Sequence, residues 1–313
     1  MRAFITGATG QDGTYLTQHL HDLGYEVHGL VRAGDPLPDR PELLTVHEGD
    51  LTDRVALTAL LDEIRPSQIY NLGGVSSVAF CWAEPVVAAD VNGAAAVFLM
   101  EAAWKLQERT GDPVAFVQAS SAEIFGEPQT SPQDESTPIR PVNPYGASKA
   151  LAHLSARTFR ARGLHVSSLI LYNHESPMRS PAFVTRKITR GAAEIARGEA
   201  TELRLGNLDA SRDWGWAPDY VAAMAMAATH EVADDYVIGT GEAHTVRDLV
   251  AAAFSAAGVE DWERYVVQDP AFFRPADPTV LLADPSKAAA VLGWRPTVTF
   301  DALVAAMVAA DLQ

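Results

Sequence analysis

Tyr145-Gly146-Ala147-Ser148-Lys149 sets a phenol and an ammonium four residues apart. On a helix that spacing puts both on one face. A free tyrosine titrates near 10, and a neighbouring ammonium favours the phenolate and lowers that value. The pair could then take a proton from a hydroxyl while hydride leaves the same carbon. A plain surface aromatic–cation pair would have the same spacing, so further chemistry is needed beside it. Ala119-Ser120-Ser121-Ala122-Glu123-Ile124-Phe125-Gly126 supplies two more groups. It follows a predicted strand at 114–118, on the ligand side of a parallel sheet. The Ser121 hydroxyl can hold the reacting oxygen. Oxidation alone has no use for the Glu123 carboxylate, whereas moving a proton on the adjoining carbon requires a base. The alternative for Glu123 is a loop ion pair.

Hydride transfer calls for a dinucleotide. Ile5-Thr6-Gly7-Ala8-Thr9-Gly10-Gln11-Asp12-Gly13 follows the first predicted strand and opens the first predicted helix. Glycines so spaced let the backbone approach a pyrophosphate that rests on the helix N-terminus. Cofactor contacts are expected from Gly7, Thr9, Gly10, Gln11, Asp12 and Gly13. The second strand ends in Arg32, where an arginine suits the extra phosphate of NADP and an acid would suit NAD. NADP is therefore expected, with NAD kept open by the nearby Asp35. After the third strand, Asp50 could bond the adenine amino group, with Leu51 beside it and Leu72 at the end of the fourth strand. Asp53 suits a helix N-cap.

These groups need a rigid frame. Apolar runs at 3–6, 26–31, 44–47, 68–72, 114–118 and 165–171 read as strands, and 15–23, 54–64, 88–106 and 148–162 have helical spacing. The alternation predicts an α/β fold, a Rossmann-type doubly wound parallel sheet with a smaller α/β substrate-binding domain. Residues 1–172, with returns near 213–238, are expected to bind the dinucleotide, and 173–212 with 239–313 the substrate. Helices are predicted at 183–197, 246–257 and 301–312, with Asp301 capping the last.

The chain has 313 residues, 48% hydrophobic and 20% charged, within the range for a globular protein with a sizeable core. Its single cysteine, Cys81, excludes an internal disulfide framework and a cysteine-based zinc site. A net charge of −16 argues against nucleic acid as a partner. No uninterrupted apolar run suits a bilayer and no leader-like segment follows Met1, so a cytoplasmic protein without a membrane partner is expected. The only lysines are Lys105, Lys149, Lys187 and Lys287, which makes the place of each informative.

One stretch, LILYNHESPMRSPAFVTRKI at 169–188, interrupts a buried strand with an amide, an imidazole and a carboxylate, then adds Arg179, Arg186 and Lys187. With ITGATGQDGTYL, GYEVHGLVR, GDLTD, QASSAEIFG, PYGASK, LGNLDASRDWG and DPSKAAAVLGWRPTVTF, it makes the chain resemble GDP-mannose 4,6-dehydratase, a family of extended short-chain dehydrogenase/reductases. NHESP, FVTRKI and GNLDASRDWG carry the likeness most specifically. The resemblance implies a bound NADP and a sugar-nucleotide substrate. Tyr145 would take the O4 proton, Lys149 tune Tyr145, Ser121 hold O4 and Glu123 remove the C5 proton. It further implies that Ser76 and Asn173 meet the sugar nucleotide and that Lys187, Arg212 and Arg274 face its phosphates. A diphosphate wants concentrated, bidentate cations, and an acidic chain must gather them locally.

Val75 and Ser77 stand where the family has glutamine and histidine beside the sugar, which leaves the hexose and base open. The segment after Arg32 is short, and a homodimer rather than a tetramer is expected. An epimerase, decarboxylase or 4-keto reductase on the same scaffold stays possible, as does a non-catalytic NADP(H) sensor. Such a sensor would be expected to lose Ser121, Tyr145 or Lys149.

Overall fold

Ala3-Phe4-Ile5 and Ile69-Tyr70 are wholly buried, as strands covered on both faces must be. The computed structural model describes residues 1–36, 40–272 and 280–313. In the first part of the chain β1 (Arg2–Thr6), α1 (Gln11–Asp22), β2 (Glu26–Val31), β3 (Thr45–Glu48), α2 (Arg54–Ile64) and β4 (Gln68–Asn71) come in turn. They are followed by α3 (Val78–Ala83), α4 (Pro85–Ala88), α5 (Ala95–Thr110), β5 (Ala115–Ala119), α6 (Pro144–Arg160) and β6 (His165–Leu171). Then come β7 (Asn173–Glu175), α7 (Val184–Ala196), β8 (Leu203–Leu205), β9 (Ser211–Arg212), β10 (Trp214–Trp216), α8 (Ala217–Thr229) and β11 (Asp235–Ile238). The described chain closes with β12 (His244–Thr245), α9 (Val246–Ala256), β13 (Val266–Gln268), β14 (Val280–Leu281) and α10 (Phe300–Asp311).

Seven strands form one parallel sheet in the order β11-β6-β5-β4-β1-β2-β3, a Rossmann-type doubly wound arrangement. Leu16 and Leu20 of α1 pack with Tyr220 and Met224 of α8 on one face. Leu57, Leu61, Leu99 and Phe159 of α2, α5 and α6 cover the other. The strand order reverses at β1, between β2 and β4, and ligands enter such sheets at that crevice. Smaller sheets, β7–β10, β8–β13 and β12–β9–β14, join α7, α9 and α10 around Ile188, Leu203, Leu249, Phe254 and Met307.

Helix α6 starts earlier than its apolar spacing predicts, because its first turn is set by a cap. Asn143 caps α6 by accepting from Gly146 N at 2.8 Å, with Pro144 at the first helical position. This places Tyr145 in the first turn. Asp53 caps α2 through Ala56 N. The last helix is capped by Thr299 rather than by Asp301, which sits within its first turn. Helical residues 85–110 are long and apolar enough to cross a membrane by length and composition, but half of that apolar window is buried in the fold. Asp90 and Asn92 interrupt the apolar run in sequence without ending the helix; they lie in a π-helical stretch, Ala89–Ala94.

Candidate active site

The C-terminal ends of β1, β4 and β5 open into a cavity of about 900 Å³. Its wall includes Gly7, Thr9, Gly10, Gln11, Asp12, Gly13, Arg32, Asp50, Leu51, Leu72, Ser76, Ser121, Glu123, Tyr145, Lys149 and Asn173, so sixteen sequence-predicted residues meet here. Gly7 takes a positive φ of 70°, and a Cβ on it would lie 2.9 Å from Gly73 Cα. A side chain at Gly13 would sit 2.6 Å from Ala8 Cα. The glycines thus make a loop tight enough for a ligand's phosphates to approach backbone N–H groups at the start of α1. That cradle, with Arg32 at the tip of β2, fits a nicotinamide dinucleotide.

A buried polar chain ties this loop to the proposed chemistry. Thr6 Oγ1 donates to Asn71 Oδ1 at 2.8 Å and accepts from Gly73 N at 2.9 Å. Asn71 Nδ2 donates to Gln118 Oε1 at 2.9 Å, and Gln118 Nε2 to Ala119 O at 2.8 Å. Lys149 Nζ also donates to Ala119 O, at 2.9 Å, and stands 5.9 Å from the centre of the Tyr145 ring. Lys149 is 7% exposed, and burial lowers its pKa to about 8.

Tyr145 departs from the expectation that the ammonium lowers it. Burial pushes its pKa up to about 12, opposed most by the Ser121 hydroxyl and also by the charge of Arg179. Lys149 is held on the last carbonyl of β5, not on the phenol. Ser121 Oγ accepts from Glu123 N at 3.2 Å, which fixes the turn after β5. Glu123 Oε2 accepts from Asn143 Nδ2 at 2.8 Å.

Gln11 and Asp12 line the cavity, but their side chains are engaged. Gln11 Nε2 donates to His174 O at 3.0 Å, and Gln11 Oε1 accepts from Ser176 Oγ at 2.8 Å. His174 Nε2 meets Asp12 Oδ2 at 2.9 Å while its Nδ1 meets Tyr172 O at 2.8 Å. A carbonyl and a carboxylate can only accept, so both ring nitrogens carry protons and the ring is an imidazolium. Burial alone would lower His174, but the charge and hydrogen bond of Asp12 hold it above its ordinary value. In turn His174 holds Asp12 below its own, against burial. The ring stacks on Tyr220 with centroids 4.5 Å apart.

His174 and Arg179 belong to the cavity wall and were not singled out as contacts in the sequence; NHESP followed by arginine was the signal. Arg179 Nε lies 3.1 Å from the buried Glu175. Asn92, in the π-helical stretch, was also missed. Its Oδ1 accepts from Val75 N at 2.7 Å, and its Nδ2 donates to Val75 O at 3.0 Å and to Ser148 Oγ at 3.2 Å. Ser77, one of the departures, caps α3 by accepting from Phe80 N. Asp50 is turned onto Thr52 N and Oγ1, at 2.7 and 2.6 Å.

Of the expected phosphate cations, Lys187 and Arg212 are not part of this wall. Lys187 lies 3.6 Å over the Phe272 ring, and Arg212, buried on β9, donates to Ser211 O at 2.7 Å. Arg186 pairs with Asp311 of α10 at 2.8 Å. The cavity wall includes Ala182 and Phe183, just before α7, and among the described residues none of α7 itself. Arg274 lies outside the described residues.

Residues 4–307 match the family model described as GDP-mannose 4,6 dehydratase. GDP-mannose 4,6 dehydratase 2 of Arabidopsis thaliana is 45% identical over 99% of this chain and 87% of its own length. Among solved structures, UDP-glucose 4-epimerase of Thermus thermophilus in complex with NAD superposes with a TM-score of 0.86 at 28% identity, over 99% of both chains. RMD from Pseudomonas aeruginosa complexed with NADPH gives 0.82 at 25%, also over 99% of both.

Proposed function

Because the chain belongs to the GDP-mannose 4,6-dehydratase family, we propose that it converts GDP-mannose to GDP-4-keto-6-deoxy-mannose. The observation that supports this most is Glu123 sharing one cavity with Ser121, Tyr145 and Lys149. A base on the neighbouring carbon is what elimination needs and simple oxidation does not. A bound pyridine nucleotide, NADP by the presence of Arg32, supplies a temporary store for the hydride that leaves C4 and returns to C6. Ser121 holds O4, and Tyr145 takes its proton as the ketone forms. The Ser121 hydroxyl and the Arg179 charge favour the phenolate that this step requires. Lys149 keeps a positive charge beneath the ring.

The C4 ketone acidifies the C5 proton. Glu123 takes it and passes it to the C6 hydroxyl, which departs as water and leaves a C5=C6 double bond. As C6 is reduced, Glu123 delivers a solvent proton to C5, and Tyr145 releases the O4 proton to solvent. One water leaves, and no net oxidation occurs. Ser76 and Asn173 would meet the sugar, while the diphosphate would extend past the cavity wall toward Lys187 and Arg212.

We also assign a cytoplasmic homodimer. Trp82, Val86, Leu151 and Leu154 are each at least 47% exposed on α3, α4 and α6, which pack together. A second copy of the chain would cover them, and a light-scattering mass near four chains would overturn the dimer.

Purified protein incubated with GDP-mannose and catalytic NADP should yield a product lighter by one water, with no reduced cofactor accumulating. Glu123→Gln should lower that conversion at least about 100-fold. An isomer of unchanged mass, identified by NMR, would instead make the protein an epimerase.

A further inference from the structure

We propose that Asn143 is a positioning residue that fixes the base for C5 relative to the group that serves O4; this rests on the dehydratase reading. The two reacting positions belong to adjacent carbons of one ring. Their catalytic groups come from separate segments, Glu123 from the turn after β5 and Tyr145 from the first turn of α6. One side chain joins them. Asn143 Oδ1 accepts from Gly146 N at 2.8 Å, and Asn143 Nδ2 donates to Glu123 Oε2 at 2.8 Å. The direction of the amide is fixed by its partners, since a backbone N–H only donates and a carboxylate only accepts.

A second feature binds the same two segments. A side chain at Gly146 would overlap the Glu123 carbonyl oxygen, so the start of α6 rests directly on the backbone of the base. Arg140 N donates to Ile124 O at 2.9 Å, which lays the segment before α6 across the Glu123 turn. Asn143 is 6% exposed, and its carboxylate partner lines the cavity. The carboxylate therefore has one oxygen anchored to the cap of the helix that carries Tyr145. Glu123 Oε1 is the oxygen left to face C5.

Asn143→Asp tests this without removing the cap, because aspartate is as good an N-cap as asparagine. It keeps an acceptor for Gly146 N but sets a second carboxylate against Glu123. Asn143→Ser keeps a cap and removes the donor to Glu123. Turnover of GDP-mannose should fall about 100-fold in the aspartate variant, the loss expected for a base displaced by about 1 Å. The serine variant should fall less, and both should still melt cooperatively, only a few degrees below wild type. Isotope effects separate positioning from general damage. With GDP-[5-²H]mannose the variants should show a larger primary effect than wild type, and with GDP-[4-²H]mannose a smaller one, because proton removal at C5 has become limiting. Turnover of the aspartate variant within threefold of wild type would overturn the assignment, as would a loss with unchanged isotope effects. Wild type inert on GDP-mannose but active on another sugar nucleotide would defeat the substrate reading alone, and the same comparison would be made with that sugar deuterated. Wild type inert on every sugar nucleotide would overturn both.

Discussion

Lys149→Met should set the stability of the fold against the chemistry of its site. Lys149 is 7% exposed, and burial draws its pKa from 10.5 to about 8. At 1.36 kcal/mol per tenfold, the charged form is disfavoured in the fold by about 3 kcal/mol. Because the folded value lies below the unfolded one, the unfolded chain holds a proton between about pH 8 and 10.5 that the folded chain has released. Stability therefore rises with pH in that window. The wild type should gain about 1 kcal/mol from this group between pH 7 and 9, and the methionine variant should gain none of it. The variant loses the hydrogen bond to Ala119 O, roughly 1.5 kcal/mol for a charged donor. That carbonyl keeps Gln118 Nε2 at 2.8 Å, so no buried acceptor is orphaned. The variant should therefore be about 1–2 kcal/mol more stable than wild type near pH 7, with the gap closing by pH 9. Urea unfolding followed by tryptophan fluorescence at three pH values measures both quantities. Parallel pH profiles for the two proteins would refute the buried charge. The variant should also lose at least about 100-fold in turnover.

Two further outcomes concern the cofactor crevice. Arg32→Ala should weaken NADP binding about tenfold and leave NAD nearly unchanged, since a guanidinium at the tip of β2 recognises the 2′-phosphate; a fluorescence titration with each cofactor checks it, and equal loss for both would defeat the preference. The Asp12–His174 ion pair should give the segment around His174 a window of greatest order. His174 is raised, so its contribution is full below about 6.5 and is lost as pH climbs through its folded value. Asp12 is lowered, so its contribution is full above about 3.9 and is lost only as pH falls through its folded value. Hydrogen exchange at residues 174–178, corrected for intrinsic rates, should speed up on the alkaline side in wild type, and Asp12→Asn should remove that pH dependence.

The parts of the site that could be read from sequence are those with local spacing. The glycines at 7, 10 and 13 follow an apolar run and open a helix, and β1 and α1 form there. Tyr145 and Lys149 share a helix, and Asp53 caps α2. The alternation of strands and helices gave the parallel sheet. Spacing carries no information on depth or on remote partners. That is why the effect on Tyr145 came out reversed: four residues on a helix bring Lys149 to the same side, but the end of β5 decides where the ammonium bonds. Burial, which spacing does not report, then outweighs it. The partners of the cations after NHESP are hidden from the sequence for a similar reason. FVTRKI shows that a helix carries charge, but the partner of Arg186 is Asp311, at the other end of the chain.

The contacts that turn separate motifs into one site all span long stretches of sequence. Gln11 reaches Ser176, Asp12 reaches His174, Asn71 reaches Gln118, and Asn92 reaches Ser148. Each joins polar groups at or next to the cavity wall, and most are buried or nearly so. A buried amide or carboxylate left unpaired costs about 1–3 kcal/mol, so each contact is tolerated only if its partner is in place. The network therefore makes the glycine loop, the strand ends and the first turn of α6 hold one another in register. Val75 connects this frame to the cavity wall. Its backbone is clamped at both polar atoms by Asn92, so the loop conformation there does not depend on the side chain at 75. Substitutions at 75 would then change the cavity wall while the backbone around it stays fixed. That combination would let the family's chemistry persist through the departures at 75 and 77.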